Sequence, residues 1–353
     1  PRRSRLGSWR ALALLGLLLS AFAFASDRRD AIFKKFDHAQ HERTFQKAKV
    51  TCMACHEVGG AGRGLTEAQL AHAVGISGSH NVVLEVLDAT GEEYCMAKNL
   101  RFPLGACGGI MAALLARRGL TGPARVIEGH GGFAESVVKG DFDVDRLIPD
   151  GHKFMIMDTA IKSITADYTT QGHLTATLTL VKEHNIRPED VASVRVRTGT
   201  RCAWHTGDPV KRYPTNKETA DHSSYYLTAM AILDRALGPE QFSAEKYHDP
   251  RVRELIDKVT IEGDEELDRV RPAGSSEITT KQGATYRLKV EHPKGHPLNP
   301  MTDREVEWKF RRMALKFMGE EEIRAVFDIA WHLEDLDDVG KLVQSMVFRS
   351  PPR

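Results

Sequence analysis

The sequence predicts a mainly α-helical chain interrupted by an α+β insert, and three observations carry that expectation. Helical patterns fill residues 65–150 and return after about residue 301. The stretch between them, 151–300, mixes helical runs with short alternating runs rich in Val, Ile and Thr, the texture of strands. The 353 residues are 41 % hydrophobic and 27 % charged, which suits a globular chain with room for two domains.

Taken in order, "LTEAQLAHAVGISGSH" opens with Thr66 as N-cap, because a Thr hydroxyl can accept from the unpaired amides of a first turn. "LGACGGIMAALLARRGLTGP" carries Ile110, Leu114 and Leu115 before a Gly-Pro stop, and Gly105, Ala106, Gly108 and Gly109 are small enough for another helix to approach closely. The insert then predicts a helix near "HLTATLTLVKEHN", a strand at "SVRVRTG", a polar loop at "HTGDPVKRYPTNKETADHS" and a helix over 223–237. Strand-like runs follow at "KVTIEG" and in "SEITTKQGATYRLKVEHP", where Lys281-Gln282-Gly283 reads as a hairpin turn. "TDREVEWKFRRMALKFM" restarts helix with Thr302 and Glu305 spaced as a capping box. "EEEIRAVFDIAWHLEDLDDVGKLVQSM" continues as amphipathic helix, expected to pack back on the first helical part.

Residues 1–26 have a different character. Arg2, Arg3, Arg5 and Arg10 precede an apolar run over 11–25 that ends in Ala23-Phe24-Ala25 before Ser26, the pattern of a secretory signal peptide. The run is shorter than the roughly 20 residues of a spanning helix, so no membrane span is expected. The start at Pro1 rather than Met predicts a reading frame that continues upstream. Residues 27–64 are polar and basic and close on Gly59, Gly60, Gly62 and Gly64, as a junction would. Within them "TCMACH" places Cys52, Cys55 and His56 in the C-x-x-C-H spacing that attaches a c-type haem, with His56 as proximal ligand and His38 or His41 as distal one. Cys52, Cys55, His56 and His41 also supply the ligand types of a zinc site, at a less typical spacing.

Charge narrows the partners. Lys plus Arg number 49 against 48 Asp plus Glu, so a net charge of +1 gives no long-range field for nucleic acid or anionic lipid. A small polar substrate in a local basic pocket fits this balance. Cys95, Cys107 and Cys202 are too dispersed for a disulfide framework. The glycine runs form neither a P-loop nor a G-x-G-x-x-G after a strand, so no nucleotide site is expected.

Six segments occur in an order that resembles the MmgE/PrpD family of 2-methylcitrate dehydratase and cis-aconitate decarboxylase type. They are "AHAVGISGSH", "MAKNLRFPLGACGGIMAALLARRGLTGP" followed by "IEGHGGF", "IKSITADYTTQGH", "YPTNKETADHSSYY", "DPRVRELIDKV" and "VEHPKGHPLNPMTDREVEWKF", spanning 65–348. The resemblance implies a large helical domain built from 65–150 and 301–348, and a smaller α+β lid over 151–300. It also implies an active site in the cleft between them, a homodimer, a cytoplasmic location, and a lyase acting on a tricarboxylate without metal or organic cofactor. Dehydration of 2-methylcitrate is the expected reaction. It needs a base for the carbon-bound proton, an acid for the departing hydroxyl and cations on the carboxylates.

By the same resemblance Lys98 in "MAKN" and Lys162 in "IKS" fall where the family places cationic active-site residues, each able to hold a carboxylate as a point charge. His222 in "ETADHSSYY" is a candidate for acid/base work. Otherwise Asp221 or Ser223 caps a helix there and His222 is a structural hydrogen-bonder. Arg101 stands three residues after Lys98 and could clamp a carboxylate with two hydrogen bonds. His80 and His173, each beside a family-like motif, complete the substrate-binding candidates.

Upstream of residue 65 the resemblance is not carried further by any quoted motif. An N-terminal helical part with an aspartate- and histidine-rich pattern is therefore expected to be missing, leaving apolar faces exposed and activity weak. The signal-like and haem-like segments resemble the start of a small periplasmic multihaem cytochrome and argue for export. An exported haem electron carrier, or a fused fragment with neither activity, is the competing expectation.

Overall fold

The computed structural model describes residues 65–81, 91–138, 143 and 155–347. They divide into two compact units, one holding 65–81, 99–138, 143 and 314–347, the other 91–98 and 155–313.

The first unit is helical. Helix α1 (Glu67–His80) starts on Thr66, whose hydroxyl accepts from the Gln69 amide at 3.3 Å while the Gln69 side chain accepts from the Thr66 amide at 2.9 Å. That reciprocal capping box is the reason the helix begins where the sequence predicts. Helix α2 (Arg101–Arg117) packs on α1 and buries Ala106, Ile110, Ala112 and Ala116. Of its small residues, Gly108 faces the end of α1: a Cβ there would come within 2.2 Å of Asn81 Oδ1. Gly105 and Gly109 face open space. Gly75 and Gly122 bring two stretches of backbone together, since a Cβ on Gly75 would sit 2.5 Å from the Pro123 carbonyl oxygen. The stretch Met96–Arg117 is long and apolar enough to cross a membrane by length and composition alone. Its buried stripe against α1 is that of a packed helix. Leu100, Phe102, Leu104 and Met111 on the same stretch are exposed.

The second unit is built on a mixed four-stranded sheet in the order β2-β1-β3-β4. Helix α3 (Gln171–Glu183) precedes β1 (Val191–Thr198), and helix α4 (Thr200–Thr206) follows it. A long crossover then carries the buried helix α5 (Ser224–Asp234) and α6 (Pro250–Asp257) to β2 (Val259–Gly263), parallel to β1. Strands β3 (Gly274–Thr280) and β4 (Thr285–Val290) form the expected hairpin, with Gly283 at φ +87° in its turn and β3 antiparallel to β1. One face of β1, Val194, Val196 and Thr198, is buried with Ser276 and Ile278 of β3. The other face carries Arg195 within 3.6 Å of Glu277, which also pairs with Arg287. Those three residues lie in register across β1, β3 and β4, so the pleat separates core from charge.

Helix α5 is apolar on every side and accordingly is buried on every side, Tyr226 to Ile232 among them. It contacts α3, α6 and β2. Helix α6 begins with Asp249 accepting from the Arg251 amide at 2.9 Å and Pro250 at its first position, a favoured helix start. Helix α7 (Asp303–Ala314) begins at Thr302, whose amide donates to Glu305 at 2.7 Å as the capping box predicts. Helices α8 (Glu320–Ala330) and α9 (Gly340–Ser345) return to the first unit and contact each other.

Candidate active site

The β1-to-β2 crossover of the second unit concentrates the ionisable side chains. Asn216 caps a one-turn helix, Lys217–Ala220, by accepting from the Thr219 amide at 2.8 Å, and Ser223 caps α5 by accepting from the Tyr226 amide at 3.1 Å. His222 is thereby held between two caps at the mouth of the buried helix. Ser223, not Asp221, is the cap, which frees Asp221 for the histidine.

Two carboxylates flank the half-buried His222 ring. Nδ1 donates to Asp221 Oδ1, and Nε2 lies 3.6 Å from Asp167 Oδ2. Asp167 is fixed by the Thr169 amide, which it accepts at 2.8 Å, and by the Thr169 hydroxyl. Asp221 also pairs with Lys217 at 2.7 Å. Burial pushes both carboxyls up, but the net shift of each is downward. For Asp167 the His222 charge and the Thr169 bonds prevail, and for Asp221 the His222 bond and charge and the Lys217 ammonium. Both stay ionised beside the imidazole at neutral pH.

The segment over 91–98 lies against this crossover. The Gly91 amide donates to Asp208 at 2.6 Å, Glu93 accepts from the Thr215 amide at 2.7 Å, and the Tyr94 amide donates to Thr219 Oγ1 at 2.9 Å. These anchors bury Tyr94, only 4 % exposed. Lys211, fully buried, donates from Nζ to Tyr94 Oη at 2.8 Å and to the His205 carbonyl at 2.7 Å. His205 Nε2 is hydrogen-bonded to the same Oη at 2.7 Å. Lys98 Nζ stands 3.9 Å from the Tyr94 ring centroid, and the His222 ring meets that ring edge-on at 5.2 Å.

Of the residues singled out from sequence, Lys98 and His222 are thus brought together through Tyr94. Lys162 makes its contacts elsewhere. Its carbonyl accepts from Lys309 Nζ, and burial together with the Lys162 charge holds Lys309 below the usual lysine range. Gly295, at φ +90°, is required beside it because a Cβ would lie 1.8 Å from the Ile161 carbonyl oxygen. His173 is a correction: it is wholly buried on α3, both ring nitrogens lack a partner, and burial lowers its pKa to about 3. A substrate does not reach it, and it is a neutral core residue.

Arg101 and His80 belong to the helical unit. Arg101 lies 5.7 Å from the Phe102 ring centroid, and His80 Nδ1 engages the Ile76 carbonyl at 3.0 Å and Ser79 Oγ at 2.9 Å. Cys52, Cys55, His56, His38 and His41 lie outside the described residues. Among the described residues no group of three or more His, Cys, Asp and Glu side chains is arranged to hold a metal.

Residues 165–334 match the MmgE/PrpD C-terminal domain, and residues 16–145 match the MmgE/PrpD N-terminal domain. The chain belongs to the MmgE/PrpD family. The N-terminal match begins well upstream of residue 65, where the motifs read from sequence begin. The chain is 26 % identical over 299 residues to human cis-aconitate decarboxylase, covering 82 % of this chain and 60 % of that protein. It is 25 % identical over 257 residues to the mouse protein of that name, covering 70 % and 51 %. The cis-aconitate decarboxylase of Aspergillus terreus is 24 % identical over 303 residues, covering 80 % and 60 %. The chain thus spans between half and three fifths of the length of these relatives.

Tyr94, His205, Lys211 and Asp167 were not singled out from sequence. Lys211 sat in view within the polar loop "HTGDPVKRYPTNKETADHS", but nothing local distinguishes its buried ammonium from a solvated one.

Proposed function

We propose that this MmgE/PrpD chain is a lyase for a tricarboxylate, worked by Lys98 and His222. The observation that carries the reading is the convergence of an ammonium and an imidazole on one ring, Lys98 Nζ at 3.9 Å and the His222 ring at 5.2 Å from the Tyr94 centroid. The Lys98 ammonium on one carboxylate positions the carbon skeleton beside His222. His222, flanked by ionised Asp167 and Asp221, is the group suited to move a proton at carbon or oxygen.

Two reactions fit such a site. In dehydration of 2-methylcitrate, a base removes the proton on the carbon beside a carboxylate and an acid delivers a proton to the departing hydroxyl. In decarboxylation of cis-aconitate, the carbon–carboxylate bond breaks to release CO2 and the site returns a proton to carbon. The cis-aconitate decarboxylases among the relatives make cis-aconitate the first substrate to try. Incubating the purified chain with each acid separates the outcomes. CO2 release from cis-aconitate supports decarboxylation, and ultraviolet absorbance of a new conjugated double bond from 2-methylcitrate supports dehydration. Turnover of neither acid contradicts the lyase reading.

A further inference from the structure

Tyr94 is the residue on which the rest of the cluster converges, and its chemistry differs from that of its neighbours. Its amide donates to Thr219 Oγ1 and the His222 amide donates to the Thr219 carbonyl, so ring and histidine are both tied to one threonine. Its hydroxyl is bonded at once to the Lys211 ammonium and to the His205 ring. The ring itself offers its π system to Lys98 and its edge-on contact to His222. A buried ring fixed at its backbone, its hydroxyl and its face has no freedom to follow a ligand. Groups that lean on it inherit its position.

We propose that Tyr94 is the positioning residue of this site. Its π face sets where the Lys98 ammonium stands, and its hydroxyl sets the Lys211–His205 pair. The two ends of the side chain therefore do separable work. Lys98 is a flexible four-carbon stem on a one-turn helix, Met96–Leu100, and an aromatic face 3.9 Å away restricts that stem. A carboxylate of the substrate then meets an ammonium already in place, which lowers the ordering cost of binding. The hydroxyl acts on a fully buried lysine and on a titratable ring, so its removal changes proton handling rather than carboxylate capture.

This inference rests on the lyase reading for its kinetic arm and is independent of it in its binding arm. Tricarballylate, a saturated tricarboxylate with neither a hydroxyl nor a double bond to lose, serves as the binding probe by titration calorimetry on the full chain. Tyr94→Phe keeps the face and loses the hydroxyl. It should bind tricarballylate within about twofold of the parent while the pH profile of kcat moves. Tyr94→Leu loses both and should bind about 2- to 30-fold more weakly, the range spanned by exposed to desolvated cation–π contacts. Phenylalanines of rising fluorine content at position 94 hold the shape and drain the π density, so folding is preserved and affinity should fall stepwise. A flat fluorine series, or a Tyr94→Phe variant as weakened as Tyr94→Leu, overturns the proposal. If the parent turns over neither acid, the lyase reading fails, while the fluorine series still decides whether Tyr94 positions Lys98.

Discussion

Replacing His173 by Leu should make the protein less sensitive to mild acid. His173 is fully buried, both ring nitrogens lack partners, and its pKa falls from the ordinary 6.5 to about 3. The unfolded chain takes up a proton at this ring below pH 6.5, while the folded chain does so only below about 3. Unfolding therefore becomes more favourable as pH falls through that window. Between pH 7 and pH 4.5 this one residue should remove about 2–3 kcal/mol of stability, at roughly 1.4 kcal/mol for each pH unit below 6.5. Leu fills a similar volume, does not titrate and removes two buried unpartnered nitrogens, so it should be no less stable than the parent at pH 7. Urea unfolding followed by circular dichroism at both pH values gives the four free energies needed. The parent's loss should exceed the variant's by about 2–3 kcal/mol. Equal losses in the two proteins would refute the assignment of His173 as a neutral core residue.

Asp167 acts in a lower window with the same sign. Its carboxyl is depressed in the folded state, so its stabilisation is present above the ordinary 3.8 and lost as pH falls through the folded value. Asp167→Asn, which keeps an oxygen for the Thr169 amide, should flatten the stability profile below about pH 4; a parent-like profile below pH 4 would count against the pairing with His222. Gly172→Ala should destabilise the second unit by about 1–3 kcal/mol, because the new Cβ would meet the Pro272 carbonyl oxygen at 2.2 Å and the Gly274 nitrogen at 2.6 Å, both backbone atoms that cannot rotate away. An unchanged urea midpoint would show that this helix and loop can separate freely.

The parts of the fold that sequence made legible are those decided within a few residues. Thr66 with Gln69, Thr302 with Glu305 and the Gly283 turn each settle a boundary by local hydrogen bonds or one permitted φ, and each lies where the pattern placed it. The helix over 250–257 carries the same kind of signal, Asp249 before Pro250, inside a family-like motif. The site was legible by half. Lys98 and His222 lie in motifs, whereas Tyr94 meets His205 and Lys211 across more than a hundred residues, a closure that no local pattern announces. His173 misled because a histidine beside a motif looks the same in sequence whether it faces a ligand or, as here, the core.

His222→Gln provides the most direct test of the central claim. Asp221 keeps Lys217 and Asp167 keeps both Thr169 bonds, so the variant should fold with a parent-like urea midpoint. Its kcat at saturating tricarboxylate should fall about 100- to 10,000-fold, the contribution of a positioned proton-transfer group. A folded His222→Gln variant that turns over within about tenfold of the parent would contradict the assignment of proton transfer to this histidine.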